Sequence, residues 1–127
     1  MDYRLVLFLY RKKDITHAEF RDHYEYIHIP LTRELTGSRF PSLHSRRYIE
    51  RSPKDEPTVL IGKSTGEEPD AVVEIGFKNE EAAQAFFDVT NSGEVEERLR
   101  KDNAQFLDWE RLKIMRIGDV FETRRED

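Results

Sequence analysis

The sequence predicts an α+β fold with the element order β-α-β-β-α-β, the ferredoxin-like split βαβ arrangement. Three observations carry this. Tyr3 to Tyr10 and Ala71 to Phe77 are apolar on both faces, as strands in the middle of a covered sheet are. A capped stretch with helical period follows each of them. Right-handed crossovers in this order place the first and third strands side by side at the centre, so topology and pattern agree.

In chain order, the first strand directs Leu5, Leu7 and Leu9 one way and Val6, Phe8 and Tyr10 the other. Arg11 to Asp14 is a polar turn. Thr16 and Glu19 form a capping box, and Phe20, Tyr24, Ile27 and Leu31 recur at i, i+4, i+7 and i+11 as an apolar stripe. Pro30 disfavours helical dihedrals at Ile29, which predicts a helix end near His28 and a second short helix from Pro30 to Gly37. Ser38 to Ser42 is a loop. Leu43 to Arg51 alternates as an edge strand, with His44, Arg46, Tyr48 and Glu50 on one side.

Ser52 to Asp70 holds Pro53, Pro57, Gly62, Gly66 and Pro69 and reads as a long loop around a short apolar insert, Thr58 to Ile61. Loops of this length are lids, binding loops or disordered, and the apolar insert requires a cover. Asn79 caps a helix from Glu80 to about Val89, with Ala82, Ala83, Phe86 and Phe87 inward. A helix from about Glu94 turns Val95, Leu99 and Phe106 inward. Leu112 to Thr123 is the last strand, bent at Gly118, before a frayed tail, Arg124 to Asp127.

The 127 residues fit one domain, 1–127, with 37% hydrophobic and 37% charged residues. A net charge of -5 and a pI near 5.5 argue against nucleic acid as a partner. The absence of Cys excludes a disulfide framework, a thiolate zinc site and a cysteine nucleophile. The apolar run Leu5 to Tyr10 is too short for a signal or membrane segment, so the expectation is a cytoplasmic protein without membrane contact. The sheet face of Val6, Phe8, Val72 and Gly76, with Glu74 among them, has no helix left to cover it. That predicts a homodimer packed face to face around a cavity.

Two histidines stand in the first helical region. On an α-helix His23 and His28 project about 140° apart, so they cannot share one metal through this helix alone. His28 at a helix end either meets a ligand or caps the unpaired carbonyls. The run Phe20-Arg21-Asp22-His23-Tyr24-Glu25-Tyr26-Ile27-His28-Ile29-Pro30-Leu31 resembles the F-x-x-(H/Y)-(W/Y)-x-x-x-H-x-P-L motif of EthD-domain proteins, members of the dimeric α/β-barrel superfamily. The likeness extends to Arg46–Ile49, Val73–Phe77 and Phe106–Asp108, hence over nearly the whole chain. It is nearest to small fungal proteins encoded beside polyketide synthases, some described as decarboxylases or dehydratases of polycyclic aromatic intermediates. The resemblance maps the family histidine onto His28 and puts His23 where His or Tyr is common, with Tyr24 where many relatives carry Trp.

No Gly-rich phosphate loop, metal cluster or nucleophile elbow is present. Gly62-Lys63-Ser64 lacks the preceding P-loop glycine, which is Pro57 here. What remains is acid–base chemistry without cofactor or metal. His28 can shuttle a proton. Glu74 is either a buried carboxylate with a raised pKa or a rim residue paired with Arg116 or another strand arginine. Tyr48 is the third catalytic candidate. Phe8, His23, Tyr24 and Arg47 are the candidate contacts of an aromatic small-molecule substrate.

Three functions fit. One is a cofactor-independent lyase, decarboxylase or dehydratase, on an aromatic polyketide. Another is a cofactor-free oxygenase of an anthrone or phenol. The third is a non-catalytic dimeric binding protein.

Overall fold

The computed structural model describes residues Tyr3 to Glu126; of the expected tail, Asp127 lies outside them. The chain entering the first helix is fixed as the capping box requires. Thr16 Oγ1 accepts from the Glu19 amide at 3.0 Å, and the Thr16 amide donates to Glu19 Oε1 at 2.8 Å. The helix does not end at His28. Helix α1 (His17–His23) runs into a π-helical turn (Tyr24–His28), which runs into α2 (Ile29–Thr36).

Ile29 keeps helical dihedrals, φ -63° and ψ -49°, and its N–H reaches back five residues to the Tyr24 carbonyl. The reason the expected break fails is the widened turn. Proline breaks a helix by lacking a donor and striking the carbonyl four residues back. Here the ladder has already opened by one residue before Pro30, so the ring enters the helix without that collision.

The extra residue also rotates the remainder of the rod. A regular α-helix aligned on Phe20 would bury Ile27, whereas the π turn leaves Ile27 51% exposed and Leu31 only half-buried. The inward row becomes Phe20, Tyr24, His28, Thr32 and Thr36, a spacing of four that a 3.6-residue helix cannot hold in line. His28 is therefore inside a continuous rod, and the terminal-cap reading does not apply to it.

Four strands, β1 (Tyr3–Leu9), β2 (Leu43–Tyr48), β3 (Ala71–Phe77) and β4 (Lys113–Arg116), form an antiparallel sheet in the order β2-β3-β1-β4. The two strands apolar on both faces are the central pair, as the pattern required. With helices α3 (Glu80–Thr90) and α4 (Gly93–Phe106), this is the ferredoxin-like α+β arrangement. Leu5, Leu9, Val73, Ile75 and Phe77 meet Phe20, Tyr24, Ala83, Phe86 and Phe106 in the core on one side of the sheet.

β4 is much shorter than the sequence pattern suggests. Ile117 still donates to the Arg4 carbonyl at 2.9 Å, but the antiparallel register then carries the chain past Tyr3, where β1 begins. Val120 and Phe121 are consequently exposed, at 53% and 91%. β2 likewise stops at Tyr48, three residues before the expected end.

The long loop is pinned at both roots. Asp70, 4% exposed, accepts from the Arg11 amide at 2.9 Å and from Arg51 Nη2 at 2.8 Å, and pairs with His17 Nδ1 at 2.9 Å. Farther out, the Glu68 carboxylate gathers the Thr65 amide, Ser64 Oγ and the Gly66 amide, which holds it at a pKa of about 2. The apolar insert does not find the cover it was expected to need: Leu60 is 91% and Ile61 95% exposed.

Gly37 ends the long helical rod at φ 55°, ψ -124°, a conformation that only glycine adopts without strain. An added Cβ would meet nothing within 4 Å, so the conformational cost stands alone. Gly37→Ala is expected to lower stability by about 1–2 kcal/mol. A urea melt checks it: the midpoint falls while the slope is unchanged.

Candidate active site

A pocket of about 170 Å³ lies between the sheet and the helices. Leu7, Leu9, Ile75 and Ile114 form its floor. Tyr24, His28 and Thr32 come from the long helical rod, Phe86, Phe87 and Thr90 from α3, and Leu99, Asn103 and Phe106 from α4. Phe40, Pro41, His44, Trp109 and Leu112 close the remaining sides. Trp109 and Ile114 are 63% and 44% exposed, which places the mouth beside them. None of the lining residues is Asp, Glu, Lys or Arg, so the polar side-chain groups of the lining are hydroxyls, an amide, an indole and two imidazoles.

The π turn accounts for the histidines. Residues five apart come round to one side of such a turn. His23 Nε2 and His28 Nδ1 therefore converge on the two oxygens of Asp102, at 2.8 and 2.7 Å. The 140° separation expected for an α-helix is not what forms. Burial opposes ionisation of Asp102, but the hydrogen bonds from His28 and His23 outweigh it and hold the carboxyl below its ordinary range.

The Asp102 carboxylate accepts at Nδ1, so in the neutral form of His28 that nitrogen carries the proton and Nε2 has the lone pair. Thr32 Oγ1 lies 3.5 Å from Nε2, and its own proton goes to the His28 carbonyl at 2.9 Å. The imidazole is stacked on Tyr24, with centroids 5.5 Å apart, and leans on Phe106 at 5.1 Å. Its side chain remains 19% exposed, so a ligand can reach it.

On the other side of Tyr24, the phenol oxygen lies 2.8 Å from His44 Nε2. Burial pushes the Tyr24 pKa well up, so the hydroxyl keeps its proton and donates it to Nε2. Burial, then the nearby Arg46 charge, pulls the His44 pKa down to about 4. His44 is thus a neutral imidazole, and its Nδ1 is buried without a hydrogen-bond partner among the described residues.

The family model for the EthD domain matches residues 12–110 of the chain. The chain belongs to the EthD domain family. Among solved structures it is similar to an ethyl tert-butyl ether D (EthD) family protein from Bacillus halodurans C-125. The two share 20% identity over 93% of this chain and 99% of that one, with a TM-score of 0.56. At that identity the likeness concerns the fold. No curated protein matches.

In this EthD domain, two of the residues singled out in the sequence, His28 and Tyr24, line the pocket. His23 stands behind it, stacked on Phe106 at 4.5 Å. Tyr48 is not in the lining: its hydroxyl donates to the Glu25 carboxylate and its ring backs Phe20 and Tyr24. Phe8, Glu74 and Arg47 are on the opposite face of the sheet. They belong to the register rows Val6–Glu74 and Phe8–Val72–Arg47, and alternation turns them away from the helices. Glu74 pairs with Arg4 at 3.1 Å, which is the strand-arginine alternative with a different arginine from Arg116. Arg46, the neighbour of Arg47, is held by Glu25 at 2.7 and 2.9 Å.

No residue of 52–70 lines the pocket, so the long loop does not act as its lid in this conformation. Among the described residues, no group of His, Cys, Asp or Glu is placed to hold a metal ion, and no helix is long and apolar enough to cross a membrane.

Asp102 and His44 are the residues the sequence reading missed. Asp102 had a signal: it lies three residues after Leu99 and four before Phe106, a carboxylate on the buried stripe of α4. His44 had none beyond its place on one side of an alternating strand.

The depressed His44 pKa has a consequence for stability. The unfolded chain takes up a proton near 6.5 and the folded protein only near 4, so acid favours unfolding between these values. Stability is expected to be level with respect to His44 above pH 6.5 and to fall from there to pH 4. Chemical denaturation across that range checks this, with a shallower decline in His44→Phe.

Proposed function

We propose that this EthD-domain protein is a cofactor-independent lyase acting on an aromatic polyketide-type small molecule, with His28 as the acid–base group. The observation that carries the reading is the pairing of His28 Nδ1 with Asp102, which leaves Nε2 on an otherwise apolar pocket. Both lyase reactions, loss of carbon dioxide and loss of water, need a positioned proton carrier. Loss of water fits better, because the lining offers no cation to receive a substrate carboxylate.

In such a dehydration, His28 Nε2 takes the proton from a carbon next to a ring carbonyl. The electrons of that C–H bond form the enolate, which then expels the β-hydroxyl. The imidazolium returns its proton to the departing oxygen, so one water leaves and His28 is regenerated. Asp102 steadies the imidazolium, and Thr32 Oγ1 is near enough to accept from its new N–H.

The aromatic walls at Tyr24, Phe40, Phe86, Phe106 and Trp109 suit a flat ring. Apolar cavities of about 150 Å³ take one benzene ring, so here one ring sits inside and a second projects toward Trp109. His28→Ala is expected to lower turnover of a β-hydroxytetralone to the naphthol about 10²-fold with the fold retained. Asp102→Asn should act in the same direction, since the amide would move the imidazole proton onto Nε2. Oxygen uptake in place of water loss would replace this reading by an oxygenase.

The protein also works as a homodimer in this reading. Val6, Phe8 and Val72 are only half-buried and Met115 is 45% exposed on the face turned away from the helices. A second copy would cover them around the Arg4–Glu74 pair. Light scattering should return twice 15.1 kDa at micromolar concentration; a monomer there would overturn it.

A further inference from the structure

We propose that His23 is a positioning residue for His28: its Nε2–H holds the second oxygen of Asp102 and so fixes the carboxylate that orients the reacting imidazole. The inference rests on His28 being the acid–base group, and it gives a role to a histidine outside the pocket lining. His23 Nε2 lies 2.8 Å from Asp102 Oδ1, and His28 Nδ1 lies 2.7 Å from Oδ2. A carboxylate only accepts, so both imidazoles donate to it.

One bond is not enough for this. The last torsion of an aspartate side chain is broad, so covalent geometry leaves the plane of the carboxylate open. A single donor fixes one oxygen and lets the group swing about it, whereas two donors on two oxygens fix the plane. Asp102 is buried, so its second donor has to come from the protein. Its ion-pair partners among the described residues are these two histidines. His23 is itself held, because its ring stacks on the buried Phe106 at 4.5 Å with 16° between the planes. The residue type matters as well. A neutral imidazole donates one N–H and adds no charge, so the charge of Asp102 is left for the imidazolium that forms at His28. An arginine in that place would donate too, but its fixed charge would answer Asp102 permanently. His23 neither gives nor takes a proton in the step.

Two substitutions separate the bond from the packing. His23→Phe keeps a ring against Phe106 and removes the donor. His23→Gln removes the ring and keeps an amide N–H for Asp102. Proton NMR of the full chain, with isotope-labelled histidine and no ligand, follows the Nδ1 proton of His28 and its exchange with water. Exchange is expected to be about tenfold or more faster in His23→Phe and to return toward the parent value in His23→Gln. With a β-hydroxytetralone as substrate, kcat is expected to fall about tenfold in His23→Phe and to recover in His23→Gln. KM should stay nearly unchanged in both, because His23 does not line the pocket.

Parent-level exchange and kcat in a folded His23→Phe overturn the proposal. An equal loss in both variants overturns it too, since the ring and not the bond would then be the working part. A raised KM does the same by making His23 a substrate contact. Where circular dichroism shows that neither variant folds, the parent chain decides. Its His23 Nε2 proton must resist exchange as the His28 proton does, and a freely exchanging one overturns the proposal. A parent chain without turnover of the β-hydroxytetralone sinks the lyase reading instead, and the proton exchange still tests His23.

Discussion

The π turn at Tyr24–His28 is the constraint on which the site depends. One added residue in the turn lets Pro30 sit inside a helix and brings His23 and His28 to the same carboxylate. Without it, Ile27 would face the core and His28 would point some 100° away. Helical energetics alone would not choose this geometry, since π turns are rare and less well bonded than α-helix. What offsets the local cost is tertiary. Phe106 stacks on His23 and Tyr24 and leans on His28, and Asp102 binds both imidazoles, so three residues of the rod are fixed by α4.

Two buried aspartates show how the same motif serves different ends. Asp70 and Asp102 are each nearly inaccessible and each hold a histidine. Asp70 also has Arg51 and Arg11 beside it, at 2.8 and 3.7 Å, and guanidinium groups stay charged at any ordinary pH. Its charge is therefore answered permanently, and the cluster joins the end of β1, the start of α1 and the long loop. Among the described residues, Asp102 is paired with histidines alone. Its two oxygens are each taken by one imidazole nitrogen, at 2.8 and 2.7 Å.

How much of this the sequence disclosed differs from residue to residue. The sheet was legible because strands β1 and β3 carry apolar residues on both faces, with Arg4 and Glu74 as the charged exceptions, which favours the centre. The capping residues Thr16 and Asn79 were legible because their bonds are local. The π turn was not. Proline rules describe the α-helix, and nothing in Tyr24-Glu25-Tyr26-Ile27-His28 distinguishes a wide turn from a regular one. The site inherited that error: the wrong helical phase sets His23 and His28 apart. Phe8, Glu74 and Arg47 were misplaced for another reason. Both faces of a central strand look alike in sequence, and alternation says which residues share a face but not which face the helices cover.

That last ambiguity ends in a division of labour between the two faces. The helix side of β1 and β3 carries Leu5, Leu9, Val73 and Ile75 and turns only uncharged groups toward the pocket. The far side carries Val6, Phe8 and Val72 but also Arg4 and Glu74, a pair that must keep each other company wherever water is displaced. An apolar surface with a matched ion pair tolerates another protein surface, whereas the uncharged pocket tolerates a small ring. Placing Glu74 in the pocket would have required a partner there, and Arg4 is on the wrong side of the sheet to provide one. The separation of charge from cavity is thus a result of strand alternation.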